Sequence, residues 1–332
     1  MRILIATGIY PPDIGGPAQY AKNLFEEFKK DGHKVTVKHY GKIERLLPAG
    51  LRHIYFMLKT LPSFISAKKI IVLDTWSVAL PVSILSTVFK KKFVIRTGGD
   101  FLWESYVERT KKKVLFEDFY ITELNNFSPK EKFIFNKTKW ILKVAHRVVF
   151  STNWQRNIWV KSYGTALEKT TVVDNYIGER ISSESPLHKI FVGATRDLIW
   201  KNIDVLKKVF IDRSVIDSGA RLDLDKASYD EFLEKVRSSY AVILVSLGDI
   251  SPNMILDAIR YGKPFICTKE CGLYDELKDV GIWVDPLDED EIKEKVIWLS
   301  KDSNYQDQCV KVSSYKKQFS WKDVADGLIN LD

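Results

Sequence analysis

The first apolar run of the chain ends in Thr7-Gly8-Ile9-Tyr10-Pro11-Pro12-Asp13-Ile14-Gly15-Gly16-Pro17, and an amphipathic pattern follows at once. Glycines at 15 and 16 let backbone N–H groups approach a phosphate, and a proline in the first helical turn forfeits no hydrogen bond. A helix starting there would offer its N-terminus to an anion. The spacing is neither the dinucleotide G-x-G-x-x-G nor a P-loop, since no Gly-Lys-Ser/Thr follows. A Gly-Gly after a strand also serves as a plain turn. Two further sets lie in the second half: Arg196 and Lys201, five positions apart, and Asp249 and Asp257, eight apart. Alone, the first reads equally as basic residues around a helix start, and the second as a helix cap plus a solvated aspartate. Cys267 and Cys271 lack the second ligand pair that zinc requires. With only three cysteines, the chain builds no disulfide scaffold and suits a reducing compartment.

Positioning such groups requires a sheet, and the chain is patterned for parallel ones: short apolar runs alternate with longer helical periods. Strands are expected over 3–7, 34–39, 69–74, 93–97, 147–151 and 170–173, then over 189–193, 241–246, 264–268 and 281–284. Tyr20, Leu24 and Phe28 recur at helical spacing in 18–30, and a further helix is expected over 201–210. The apolar segment 77–89 contains Pro81 and reads as a core helix between two strands. Residues 104–136 break the alternation: they form an irregular excursion, a pair of loosely packed helices or a solvated surface helix. The Ser-, Glu- and Gly-rich stretch 175–186 reads as a linker. In doubly wound sheets ligands bind outside the carboxyl ends of the strands, where the candidate residues fall.

A length of 332 residues is comfortable for two domains, and 45% hydrophobic residues give each a core. The net charge of +8 suggests an anionic partner. It is unevenly placed: residues 1–174 hold 29 Lys and Arg against 15 Asp and Glu, and the remainder 22 against 28. The first apolar run is too short for a secretory signal, and no stretch reaches the ~18 apolar residues of a spanning helix. A cytoplasmic protein is expected. The triplets Lys90–Lys92 and Lys111–Lys113 come without a nucleic-acid-binding motif, so no nucleic-acid partner is expected. Lysines near aromatics favour an anionic lipid surface, although no segment stands out as an amphipathic anchor.

The stretch Tyr10-Pro11-Pro12-Asp13-Ile14-Gly15-Gly16-Pro17-Ala18-Gln19-Tyr20 resembles the opening of glycosyltransferase family 4, retaining enzymes of the GT-B fold. Three other stretches are similar to that family: Phe191-Val192-Gly193-Ala194-Thr195-Arg196 with Lys201; Asp249 to Asp257 followed by Ala258 and Gly262-Lys263-Pro264; and Gln318-Phe319-Ser320-Trp321 near the end. The resemblance implies an α/β fold of two doubly wound Rossmann-like domains facing a central cleft. Residues 1–175 would bind the acceptor and 176–315 the nucleotide sugar, with 316–332 a terminal helix packing back on the first domain. It further implies that Arg196 and Lys201 neutralise the donor diphosphate, whose charge grows as the glycosidic bond breaks. Asp249 would lie by the transferred sugar and Asp257 by the ribose. A helix begun at Ser251 or Pro252 would aim the N–H groups around Ser251, Asn253 and Met254 at the diphosphate. Gly15 and Gly16 would allow close backbone approach, and Asp100 would border the acceptor.

The implied activity is metal-independent retaining transfer from a nucleotide-diphosphate sugar, a co-substrate rather than a cofactor. The acceptor would be a glycan or polyprenyl-linked oligosaccharide in cell-envelope polysaccharide synthesis, at the inner face of the membrane. Four features depart from the family. Gly99 stands where a histidine is common in Arg96-Thr97-Gly98-Gly99-Asp100, and none of the five histidines offers a substitute. Aspartate replaces glutamate at 249 and 257. The span between Lys201 and Asp249 is compact, with Asp217-Ser218-Gly219-Ala220 the sole remnant of an extra strand and loop. Asp174-Asn175-Tyr176 replaces Pro-Asn-Gly at the hinge. These departures fit a second reading, a catalytically silent sugar-nucleotide-binding or partner subunit; an epimerase on the same architecture is a third.

Overall fold

The computed structural model describes all residues except 14, 184, 195 and 332, and of residue 49 the backbone alone. Ile14 and Thr195, members of two motifs above, and Glu184 of the linker lie outside the described residues. The chain divides into two compact units. One comprises Met1–Leu102, Glu123–Tyr176 and Phe319–Asp332; the other comprises Trp103–Thr122 and Ile177–Gln318.

The first unit is built on six parallel strands: β1 (Arg2–Thr7), β2 (Lys34–His39), β3 (Lys69–Val72), β4 (Val94–Arg96), β5 (Arg147–Phe150) and β6 (Thr170–Val172). They lie in the order β2-β1-β3-β4-β5-β6. Ile3-Leu4-Ile5-Ala6 and Ile70-Ile71-Val72 are buried, as expected of strands covered on both faces. The helix Gly16–Lys30 turns Tyr20, Leu24 and Phe28 into this core. A helix near the end of the chain, Trp321–Ile329, adds Val324, Ala325 and Leu328 to it. Ser320 and Asp323 cap that helix reciprocally, satisfying N–H groups that would otherwise lack acceptors. The Trp321 ring lies 5.3 Å from Tyr20 and stacks on Tyr176 at the same distance.

The second unit has five parallel strands: β7 (Ile190–Val192), β8 (Arg221–Asp223), β9 (Ala241–Leu244), β10 (Phe265–Thr268) and β11 (Ile282–Val284), in the order β11-β10-β9-β7-β8. Phe191, Leu206, Ile243, Ile266, Val284 and Val296 share its core. In both sheets the first strand lies between the second and the third, so the winding reverses beside it.

Several expectations are corrected. The strand thought absent between Lys201 and Asp249 is present as β8, paired to β7 with Ile190 opposite Arg221. Three residues, two of them charged, at a sheet edge carry no apolar run to betray it. Residues 104–136 are neither irregular nor loosely packed. They form the helices Phe101–Thr110, Phe116–Thr122 and Pro129–Val144. Trp103, Tyr106, Phe116 and Phe119 are buried, so the first two are not solvated surface helices. The helix expected from 201 starts at Ile203, after a 3-10 turn over Ile199–Lys201. Helix Ala79–Phe89 confirms the core segment, with Pro81, Val82, Ser83 and Leu85 buried.

Candidate functional site

In the second unit the reversal of winding falls between β7 and β9, the place where open α/β sheets bind ligands. Lys201 ends the 3-10 turn that follows β7, and Asp249 lies on the loop that follows β9. Lys201 Nζ is 2.6 Å from Asp249 Oδ2, with the two side chains 11% and 13% exposed. The turn is held from behind by Asn202, a left-handed residue whose buried side-chain amide donates to the carbonyls of Val245 (3.2 Å) and Pro286 (2.7 Å). Trp200 is the platform beneath: Lys201 Nζ stands 4.3 Å from its ring centre and the Arg196 guanidinium 6.0 Å. The indole face attracts both cations. Trp200 had no place in the motif, although its position beside Lys201 in sequence was a signal.

Asp249 is fixed through its backbone. Its N–H donates to the Glu270 carbonyl (2.9 Å) and its own carbonyl accepts from Gly272 (3.0 Å). The loops after β9 and β10 are therefore locked together. Pro252 then caps the helix Asn253–Arg260, one or two residues later than expected, with Ser251 just outside it. The N–H groups of Asn253 and Met254, in its first turn, have no acceptor within the helix and form its positive end. Asp257 lies one turn further on, on the face of Asn253, and is buried beside Ile255, Leu256 and Ala258. Burial pushes its carboxyl up to about 7, against the opposing pull of Arg260. Glu270, which no motif singled out, is also pushed up to about 7 by burial, with Glu117, Asp118 and Asp285 adding to it.

A wall stands beside these loops, made by Trp103–Thr122. Phe116 N–H donates to the Leu247 carbonyl (3.0 Å), and Glu108 Oε1 accepts from Ile199 N–H (2.7 Å). Lys113 Nζ reaches Asn202 Oδ1 (2.7 Å) and Asp204 Oδ2 (2.8 Å). Trp103 packs on Trp200 at 5.7 Å. Gly248 makes the fit: any Cβ there would overlap Phe116 and press on the Trp103 ring.

In the first unit Gly15 caps the helix Gly16–Lys30 with φ +147°, a conformation L side chains rarely adopt, and Pro17 follows in the first turn. Gly8 lies so close to β3's loop that a Cβ would stand 2.8 Å from Ser77 Oγ. Asp100 is buried after β4, immediately before the helix Phe101–Thr110. Arg96, at the end of β4, is a buried cation 4.1 Å from the Tyr20 ring centre and bonded to Asn175. Thus Lys201 meets Asp249 and shares the Trp200 ring with Arg196, Ser251 precedes the helix whose first turn holds Asn253 and Met254, Asp257 is buried one turn on, and Gly15, Gly16 and Asp100 belong to the other unit. Among the described residues no cluster of His, Cys, Asp and Glu could hold a metal ion. Arg196 and Lys201 thus share one indole, and the carboxylate of Asp249 balances the charge of Lys201.

No protein-family model matches the chain, and no curated protein sequence does. Solved structures do. Sucrose-phosphate synthase from Thermosynechococcus elongatus superposes with a TM-score of 0.71 at 11% identity, over 98% of this chain and 96% of that one. Anabaena HepE in complex with UDP gives 0.65 at 13% identity, over 100% and 96%. WaaG, a glycosyltransferase involved in lipopolysaccharide biosynthesis, gives 0.66 at 10% identity, over 99% and 100%. Likeness at such identity concerns the fold: these neighbours are GT-B glycosyltransferases, and this chain shares their two parallel Rossmann-like sheets.

Proposed function

Starting from the GT-B fold, we propose that this protein transfers a sugar, with retention of configuration, from a nucleotide-diphosphate sugar to a glycan or lipid-linked acceptor. The observation that carries the proposal is the pair Arg196 and Lys201, set on Trp200 at the winding reversal and facing the loop of Asp249. As the bond from the anomeric carbon to the phosphate oxygen breaks, the leaving nucleoside diphosphate gains negative charge. Arg196, Lys201 and the N-terminus of the helix Asn253–Arg260 stabilise it, and with this charge compensation the reaction needs no metal. The acceptor hydroxyl attacks the same face of the sugar, and its proton passes to the departing phosphate oxygen. That route dispenses with the histidine replaced by Gly99. Asp249 contacts the transferred sugar, Asp257 the ribose, Gly15 and Gly16 permit close backbone approach, and Asp100 borders the acceptor. The nearby likeness of WaaG favours a role in cell-envelope polysaccharide synthesis on the cytoplasmic side.

The test is release of nucleoside diphosphate from UDP-, GDP-, ADP- and dTDP-sugars by the purified protein. One donor is expected to turn over, and Arg196→Ala to lower that rate about a hundredfold or more. Wild-type rates in that variant would sink the assignment. Donor binding without any turnover would favour the silent partner subunit, for which Gly99 and the shortened acids at 249 and 257 speak.

A further inference from the structure

The helix Ala49–Ser66 in the first unit is apolar on two opposite sides. Phe56, Thr60 and Phe64 point inward and are fully buried. On the other side Leu51, Ile54, Leu58 and Ile65, which share one face at this spacing, are 55%, 52%, 61% and 53% exposed. A helix apolar all round is normally enclosed by protein. Here no described residue covers the outer stripe, and the preceding helix Lys42–Leu46 extends it with Ile43 and Leu46, the latter 86% exposed. The two charged residues of the long helix are turned away from it. Arg52 donates to the carbonyls of Glu44 and Leu47, and Lys59 Nζ lies 2.6 Å from the buried Glu44 carboxylate.

The surroundings of this stripe are predominantly basic; Asp13, the carboxylate that reaches the short helix from elsewhere in the chain, is paired with Arg45. Between Arg45 and Gly99 the sole acidic residue is Asp74, whose carboxylate accepts the N–H groups of Trp76, Val78 and Ala79. Lys42, Lys68, Lys90 and Lys92 are exposed. Lys91 ties the triplet to the end of the long helix by donating to the carbonyls of Phe64 and Ile65 (2.9 and 2.8 Å). The triplet also lines a hollow of about 390 Å³ with His146 and Lys169, and among the described residues no acidic side chain takes part in its wall.

We propose that this face docks on an anionic lipid bilayer, with Leu51, Ile54, Leu58 and Ile65 entering the headgroup–acyl boundary and the lysines around them meeting lipid phosphates. Bare apolar side chains framed by lysines match such a surface on both counts. A second copy of the chain is a poorer occupant, because a two-fold contact would set one basic rim against another. The long helix is thus the anchor missed in the sequence: it carries apolar residues on both its inner and its outer side, and only packing tells the two apart. The inference is independent of any chemistry at Lys201 and Asp249.

Co-sedimentation of the full chain with phosphatidylcholine vesicles, with and without phosphatidylglycerol, tests it. The wild type is expected to bind the phosphatidylglycerol vesicles, less so at high salt. Ile54→Glu/Leu58→Glu should weaken partitioning about tenfold or more by removing two inserted side chains. Lys90→Glu/Lys92→Glu should weaken it about thirtyfold on anionic vesicles, at roughly 1 kcal/mol per lysine, while leaving the neutral ones unchanged. The residues changed are exposed, and circular dichroism checks that each variant folds. No binding by the wild type, or equal binding by Ile54→Glu/Leu58→Glu, would overturn the proposal. So would a concentration-dependent dimer that the same variant dissociates while vesicles stay empty.

Discussion

Lys201 and Asp249 come from different strand ends and meet at 2.6 Å with little water around them. A pair held this way keeps the ammonium in place before any ligand arrives, and an incoming diphosphate must compete with one carboxylate for it. Removing one partner leaves the other charge largely buried and uncompensated. Lys201→Met should therefore destabilise the fold by about 3 kcal/mol, and Lys201→Met/Asp249→Asn should recover most of that loss in urea denaturation. Equal loss in both variants would mean that the pair is not coupled. Asp257 gives a pH signature. Its carboxyl holds a proton up to about 7 in the folded chain, against about 4 when unfolded. Stability from this group is complete below the unfolded value and drains away as pH rises through the folded one, because the native state must ionise a buried acid. Asp257→Asn should thus raise the melting temperature relative to wild type more at pH 8 than at pH 4. A constant difference across that range would contradict the buried-acid assignment. Glu270 titrates with the same sign, so the comparison between variant and wild type isolates Asp257.

Among the elements, the segment Trp103–Thr122 is the most consequential. It interrupts the chain of the first unit yet packs in the second, against the loops of Lys201 and Asp249. Gly248 permits the approach, so Gly248→Ala should push Phe116 and Trp103 away and cost about 1–3 kcal/mol by overpacking. Its effect on nucleotide affinity should exceed that of Gly50→Ala, a position where a Cβ meets nothing. Unchanged affinity in the first variant would remove the wall from the site. This segment also marks where the sequence stopped being legible. The ten expected strands all exist, because continuous apolar runs bounded by turns announce buried strands. β8 escaped because an edge strand needs no such run. The helix after Asp249 was expected within two residues of its start, since proline at a cap leaves a strong local signal. The destination of Trp103–Thr122 was invisible, because its buried aromatics would suit either unit equally. Trp200 and Glu270 were missed for a related reason: one acts through the faces of its ring and the other through a distant cluster of acids, and neither relation is local in sequence.

For the molecule as a whole, the charge excess belongs to the first unit, with 26 Lys and Arg against 14 Asp and Glu; the second has 25 against 29. In the second unit many cations are paired with its own carboxylates, among them Lys208, Lys235, Lys269 and Lys293. In the first unit Lys42, Lys68, Lys90 and Lys92 are exposed on segments that flank the helix Ala49–Ser66 in sequence. The central claim is that the Arg196–Trp200–Lys201 turn binds the diphosphate of a nucleotide. Isothermal calorimetry of the full chain with UDP, GDP, ADP and dTDP tests it most directly. One-to-one binding of at least one of them is expected, weakened about tenfold or more in Arg196→Ala by loss of a charge-assisted contact. Binding of none, or equal binding by wild type and variant, would contradict it.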